Sequence, residues 1–80
     1  MTLRIWNELR ELRKKSIGKY GPLEDNHRML GAIRLEYREV EEAVQSRITH
    51  RVRAELLDLA NVALRAVEEM DGREESDAIQ

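Results

Sequence analysis

Apolar residues recur at alternating spacings of three and four along three stretches of this 80-residue chain. This spacing places them on one face of an α-helix, so each stretch predicts an amphipathic helix. The first helix runs from Thr2, its expected cap, to about Ile17. Its apolar face is formed by Ile5, Trp6, Leu9, Leu12 and Ser16 or Ile17. Two glycines and a proline then predict a loop over residues 18–24.

The second and third stretches predict a helix hairpin. Asp25 or Asn26 caps the second helix, whose apolar stripe is Leu30, Ile33, Tyr37, Val40 and Val44. Polar residues at 46–49 predict a tight turn, after which Thr49 caps the third helix. The stripe of the third helix is Val52, Leu56, Leu59, Ala63, Val67 and Met70. We expect this helix to end at Asp71–Gly72, since glycine is the usual residue just past a helix end.

Composition supports this all-α fold with a central antiparallel hairpin. Charged residues make up 38% of the chain, and it holds one proline and four glycines, as is typical of helical proteins. Residues 1–72 are predicted to form a single domain and residues 73–80 a mobile tail. A chain this short buries a small core, and without cysteine it has no disulfide or thiolate–metal bond to stabilise it. We therefore expect a homo-oligomer.

The charge balance limits the possible partners. Fourteen basic residues stand against sixteen acidic ones, which excludes a strongly basic nucleic-acid-binding domain on total charge. The basic residues are nevertheless concentrated in the first helix, so a nucleic-acid-associated helical protein stays open as one alternative. No stretch has the length of apolar sequence that a membrane span needs, and the start of the chain lacks the apolar segment of a signal peptide. We expect a cytoplasmic protein that does not enter the membrane.

Two pairs of acidic residues carry the candidate chemistry. Glu39 and Glu42 lie on the second helix, and Glu55 and Asp58 on the third, each pair three residues apart and so neighbours on a helix face. Because the two helices run antiparallel, the pairs can face each other across the hairpin. Four carboxylates converging in this way form an oxygen-ligand set that suits Mg²⁺.

A solvated acidic surface is the alternative reading of these residues. Acids on an exposed helix face are often supported by Lys or Arg four residues onward. The four acids are instead followed at that offset by Ala43, Ser46, Leu59 and Val62. This absence of local support is an argument for a metal site, most clearly for Glu39 and Asp58, and on spacing alone both readings stay open.

The order and spacing of the acids resemble the signature of a known superfamily. Glu39-x-x-Glu42 is followed after twelve residues by Glu55-Leu56-Leu57-Asp58, and Asn61 comes three residues later. The pattern resembles the ExxE…ExxD signature of the MazG-like, all-α nucleoside triphosphate pyrophosphatases. Residues 35–43 are similar to that family's L-x-E-E-x-x-E-x-A helix. The run Lys19-Tyr20-Gly21, with His27 after it, is similar to phage and mobile-element members.

The resemblance implies a reaction and roles for particular residues. Members hydrolyse a nucleoside triphosphate to the monophosphate and pyrophosphate, with water attacking the α-phosphorus. The implied ligands for Mg²⁺, or for Mn²⁺ in its place, are Glu39, Glu42, Glu55 and Asp58. Glu36 is implied as an outer-shell residue or base, with Glu39 as the other candidate to accept a proton. Asn61 is implied as a hydrogen-bonding partner for the nucleotide.

Further residues are candidates for holding the substrate. Lys15, Lys19 and Arg28 can attract a triphosphate, against the alternative of a solvated basic face. Trp6 can stack on a base, although its place on the apolar face favours a position in the core. The family resemblance also implies that hairpins from two subunits pack into a four-helix bundle, in a dimer or tetramer. The main alternative function is a catalytically degenerate helical module that acts through protein contacts.

Overall fold

The computed structural model describes the backbone of residues 2–20 and 26–79 and the side chains of residues 2–15 and 26–72. Across the described backbone the chain forms three α-helices and no strand: α1 (Leu3–Tyr20), α2 (Asn26–Ser46) and α3 (Thr49–Ile79). The expected all-α class with three helices is therefore confirmed. None of these helices is both long enough and apolar enough to cross a membrane.

The start of α1 follows the sequence prediction. The amide N–H of Ile5 donates to Thr2 Oγ1 at 3.4 Å, and that of Trp6 donates to the Thr2 carbonyl at 3.2 Å. Thr2 thus satisfies two of the amide groups that a helix start leaves without a partner. The other end differs, because α1 continues through Gly18 to Tyr20. The rest of the expected loop, residues 21–24, and the alternative cap Asp25 lie outside the described residues.

A two-residue turn connects α2 to α3. Arg47 has a positive φ of 60°, which reverses the chain directly after Ser46. The Ser46 hydroxyl donates to the Ala43 carbonyl at 2.6 Å and accepts from the Ile48 amide at 3.3 Å, so one side chain fastens both sides of the turn. The Ile48 carbonyl accepts from the amides at positions 51 and 52. Ile48 therefore caps α3, and the prediction that Thr49 does so is wrong by one residue.

The expected end of α3 is also wrong. The helix continues through Gly72 to Ile79, so residues 73–79 extend it. A single glycine costs about 1 kcal/mol inside a helix, and the residues after Gly72 include glutamates and an alanine, which are good helix formers. Gly72 has open space around it, so no tertiary contact forces the helix to stop there.

The third helix forms the centre of the packing, since both α1 and α2 pack against it. Half of the buried apolar side chains in the described part of the chain are alanines: Leu9, Met29, Ala32, Ala43, Val62 and Ala66. Glu36, Asn61 and Arg65 are buried among them. Trp6 is 48% exposed, so the expectation that it lies in the core is wrong. The helices therefore surround a narrow interior in which polar groups occupy much of the space.

Candidate metal centre

Four carboxylates converge between α2 and α3. Glu36 and Glu39 come from α2, and Glu55 and Asp58 come from α3. Each contributes one carboxylate oxygen to a group whose members all lie within 4.8 Å of one another. The residues sit at mirrored distances before and after the turn at Arg47, which is the arrangement that an antiparallel hairpin produces. We call this group the acidic cluster.

The cluster is formed inside the protein and not on its surface. Glu36 is only 1% exposed, and the other three side chains are partly buried. The Oε2 atoms of Glu36 and Glu55 are buried and accept no hydrogen bond from the described part of the chain. A buried carboxylate oxygen normally has a hydrogen-bond or ionic partner, because losing water without a replacement is costly. Glu36 has another interaction within the chain, and these two Oε2 atoms are the candidate ligands for a cation.

Small neighbouring residues allow the two helices to bring these acids together. Ala32 and Ala43 are buried on the same face of α2 as Glu36, and Val62 is buried on α3 one turn beyond Asp58. Alanine side chains let helices approach closely. The longer glutamate side chains then reach into the space between the helix axes.

Electrostatic repulsion makes the cluster costly without neutralisation. Two unit charges 4.8 Å apart repel by about 3.5 kcal/mol at an effective dielectric constant near 20. Glu36, Glu39 and Asp58 have further interactions with the rest of the chain, which offset part of this cost. An all-oxygen donor set of several carboxylates nevertheless fits a hard divalent cation such as Mg²⁺ or Mn²⁺.

The structure brings together three of the four sequence-predicted ligands. Glu39, Glu55 and Asp58 belong to the acidic cluster, whereas Glu42 is exposed and lies outside it. A helix turns by about 100° per residue, so Glu42 is rotated roughly 120° from Glu36 around α2 and turns away from α3. Glu36, expected as an outer-shell residue or base, occupies the fourth position. The converging pairs are thus Glu36-x-x-Glu39 and Glu55-x-x-Asp58.

A cleft of about 670 Å³ between α1 and α3 reaches Asp58. Its charged lining is mixed, with Arg4, Lys15 and Arg53 against Glu8, Glu11 and Asp58. Lys15 was predicted from the sequence to attract phosphate, and it lines this cleft beside the acidic cluster. A cleft that combines basic residues with one edge of a carboxylate cluster can accept a metal-bound polyanion.

Arg53 also forms an ion pair that connects α3 to α1 at this cleft. Its guanidinium donates two hydrogen bonds to the Glu8 carboxylate, at 2.9 and 2.6 Å. The hydrogen bond from Arg53 lowers the pKa of Glu8 below its usual value. A second cross-helix ion pair joins Arg13 to Glu68. The charge of Arg53 is therefore already paired with that of Glu8, and Arg4 and Lys15 are the better candidates for holding an anion.

Asn61 and Arg65 line a second cleft, of about 380 Å³, on α3. Both are buried, at 5% and 7% exposure, and the half-exposed Trp6 lines the same cleft. Arg65 lies 3.8 Å from the Glu69 carboxylate. The sequence prediction named Asn61 but missed Arg65. The sequence does contain a signal for Arg65: it follows Asp58 by seven residues, which places it on the same side of α3 as the acidic cluster.

Two further residues were predicted to hold substrate. Arg28 is exposed in the first turn of α2 and has a partner within the chain. Arg28 is absent from the described lining of both clefts. The side chain of Lys19 lies outside the described residues.

Comparisons with family models, with curated proteins and with solved structures find no match for this chain. The features that indicate a function are therefore the acidic cluster, the clefts around it and the sequence resemblance.

Proposed function

We propose that this chain is a Mg²⁺-dependent nucleoside triphosphate pyrophosphohydrolase of the MazG-like type. The observation that carries the proposal is the convergence of four carboxylate oxygens within 4.8 Å, with Glu36 almost fully buried among them. Exposed glutamates are common on helices, whereas a glutamate at 1% exposure beside three other acids is unusual, because burying its charge is costly. The proposed ligands are Glu36, Glu39, Glu55 and Asp58. Mn²⁺ is the expected substitute ion, because it accepts the same oxygen ligands.

Different residues have different roles in the proposed reaction. A divalent ion held by the acidic cluster would neutralise phosphate charge and lower the pKa of a bound water. Lys15 and Arg4 in the cleft between α1 and α3 would hold the triphosphate beside Asp58. Water adds to the α-phosphorus, the bond to the bridging oxygen breaks, and pyrophosphate leaves. Glu39, which is partly buried and more accessible than Glu36, is the better placed carboxylate to accept the proton of the attacking water.

The test is a panel of canonical and modified nucleoside triphosphates, incubated with Mg²⁺ and assayed for pyrophosphate release. The expected result is monophosphate and pyrophosphate in equal amounts for at least one substrate, with no release when EDTA is present. Asp58→Asn and Glu36→Gln should each lower the rate by roughly 100-fold or more, since each removes several kcal/mol of charge stabilisation. Circular dichroism should show unchanged helicity in both variants.

Glu42→Gln is the matched control. It makes the same chemical change on the same helix, at an exposed residue outside the cluster, and should keep the wild-type rate. Loss of activity in Glu42→Gln with retention in Glu36→Gln would contradict the ligand set. Failure on the whole panel would favour the alternative, a catalytically degenerate module acting through protein contacts. The large apolar side chains exposed on α2 and α3 are the observation that favours this alternative.

A further inference from the structure

The second cleft, between α1 and α3, combines an accessible aromatic ring with buried polar side chains. Trp6 lines it and is 48% exposed, and the exposed side chains of Leu3 and Leu64 lie beside it. Asn61 and Arg65 line the same cleft and are buried. A concave, mostly apolar cleft of about 380 Å³ with a few polar groups is the usual form of a small-molecule site. Its shape and chemistry suit a flat ring with a polar edge.

The charges of the second cleft favour an anion. Three arginines, Arg10, Arg13 and Arg65, stand against one acid, Glu68, in the described lining. Glu68 is already paired with Arg13. Arg10 is exposed, so its guanidinium can hold a phosphate group beside the cleft. The net charge of the whole chain is −2, which disfavours a long nucleic-acid strand. A single nucleotide supplies both the flat ring and the phosphate.

Arg65 distinguishes between the possible bases. A guanidinium carries only hydrogen-bond donors, so the ring edge that meets it must present acceptors. Guanine presents two, O6 and N7, that arginine binds bidentately, whereas adenine places a donating amino group beside N7. Arg65 has partners within the chain, with Glu69 at 3.8 Å, and its five N–H donors allow a base to bind as well. The Asn61 carboxamide can both donate and accept, so it accommodates either purine.

The second cleft is separate from the cleft that reaches the acidic cluster. Trp6 lines the second cleft and Lys15 lines the other. These residues are nine positions apart on α1, which places them on opposite sides of that helix, about 180° from each other. On α3, Asp58 lines one cleft and Arg65 the other, roughly 10 Å further along the helix axis. Because α1 lies between the two clefts, they hold different molecules.

We propose that the second cleft binds a guanosine nucleotide at a site distinct from the acidic cluster. Trp6 stacks on the base, Arg65 donates to its O6 and N7 atoms, and Arg10 holds the phosphate. The ligand contacts both α1 and α3, so its binding stabilises their contact. The proposal goes beyond the proposed hydrolysis, because this site needs neither a metal ion nor a triphosphate.

Titration with guanosine monophosphate in the presence of EDTA tests the proposal. Trp6 is the only tryptophan of the chain, so its fluorescence reports on this cleft alone. The nucleotide should quench it saturably at submillimolar concentration and bind at least about tenfold more tightly than adenosine monophosphate. Inosine monophosphate keeps both acceptors and should bind like the guanosine compound. The 7-deaza analogue lacks N7 and should bind more weakly. This series uses the wild-type chain throughout, so it does not depend on the folding of a variant.

Calorimetric titration of three variants tests the assigned roles. Arg65→Gln should abolish the preference for guanine, because a carboxamide offers the donor and acceptor that suit adenine. Trp6→Ala should weaken both nucleotides alike, by roughly tenfold, since stacking tolerates any base. Arg38→Gln is the matched control for Arg65→Gln. Arg38 is exposed on α2 and outside the described lining of the cleft, so this variant should bind like the wild type.

Three results would overturn the proposal. The first is a wild-type chain whose Trp6 fluorescence does not respond to guanosine monophosphate. The second is equal affinity for the guanosine and adenosine compounds, which would remove the role of Arg65. The third is binding that appears only with Mg²⁺, which would place the nucleotide at the acidic cluster. Each of these can occur whether or not the chain releases pyrophosphate from a triphosphate.

Discussion

Glu55→Gln tests whether the acidic cluster is a metal site that the fold maintains at a cost. Glu55 is partly buried, its Oε2 atom accepts no hydrogen bond from the described residues, and three other carboxylates have an oxygen within 4.8 Å. Glutamine has nearly the same shape, carries no charge and can donate hydrogen bonds to neighbouring carboxylates. The substitution therefore removes repulsion while keeping the packing.

The magnitude follows from the distances in the cluster. Each repulsion at 4.8 Å amounts to about 3.5 kcal/mol at an effective dielectric constant near 20. The other partners of the cluster reduce the net gain, so we expect Glu55→Gln to stabilise the metal-free chain by about 1–2 kcal/mol. For a chain of this size that corresponds to a rise in Tm of roughly 6–12 °C. Bound Mg²⁺ at ten times its Kd should stabilise the wild type by about 1.4 kcal/mol.

The assay is thermal unfolding followed by circular dichroism, with and without Mg²⁺ at constant ionic strength. Glu55→Gln should melt higher than the wild type in EDTA and respond much less to Mg²⁺. Glu42→Gln, the exposed neighbour outside the cluster, should match the wild type in both conditions. A variant Glu55→Gln that melts lower in EDTA and keeps the full Mg²⁺ response would refute the reasoning.

Two further predictions concern the hairpin and the α1–α3 contact. Arg47 has a φ of 60° directly after α2, a conformation that glycine adopts without strain. Arg47→Gly should therefore raise the free energy of unfolding by about 0.5–1 kcal/mol in chemical denaturation. A loss of stability would mean that the arginine side chain contributes more than the relief of its backbone strain. Glu8→Gln should lower Tm slightly at pH 7, because the pKa of Glu8 is depressed in the folded state and its bond to Arg53 stabilises the fold above the unfolded pKa. That stabilisation is lost as the pH falls through the folded pKa of Glu8, so the difference in Tm between variant and wild type should disappear in acid. A difference in Tm that is independent of pH would contradict a stabilising Glu8–Arg53 ion pair.

The helices could be predicted from the sequence because their signals are local. The apolar spacing, Thr2 at the start of α1 and the polar residues at 46–49 gave the number and order of the helices and the place of the turn. The errors also have local causes. Gly18 and Gly72 predict helix ends, but a single glycine costs only about 1 kcal/mol inside a helix, and good helix formers, Lys19 and Arg73, follow them directly.

The membership of the acidic cluster could be predicted only in part. Spacing identifies pairs of acids on one helix face, and α2 offers two overlapping pairs, Glu36 with Glu39 and Glu39 with Glu42. Choosing between them requires the rotation of α2 against α3, which depends on which residues pack between the helices. Ala32 and Ala43 lie in that contact, and they turn Glu36 inward and Glu42 to solvent. Periodicity alone does not contain this information, because the more apolar stripe of α2 faces outward.

The placement of charged and apolar side chains also links folding to cation binding. A chain that buries a glutamate in its interior and leaves large apolar residues exposed gives up hydrophobic stabilisation. A cation at the acidic cluster would compensate the buried charge. Tyr37 is 58% exposed and lies outside the acidic cluster. Tyr37→Glu should therefore keep the Mg²⁺-dependent rise in Tm, and loss of that rise would contradict the location of the cation site.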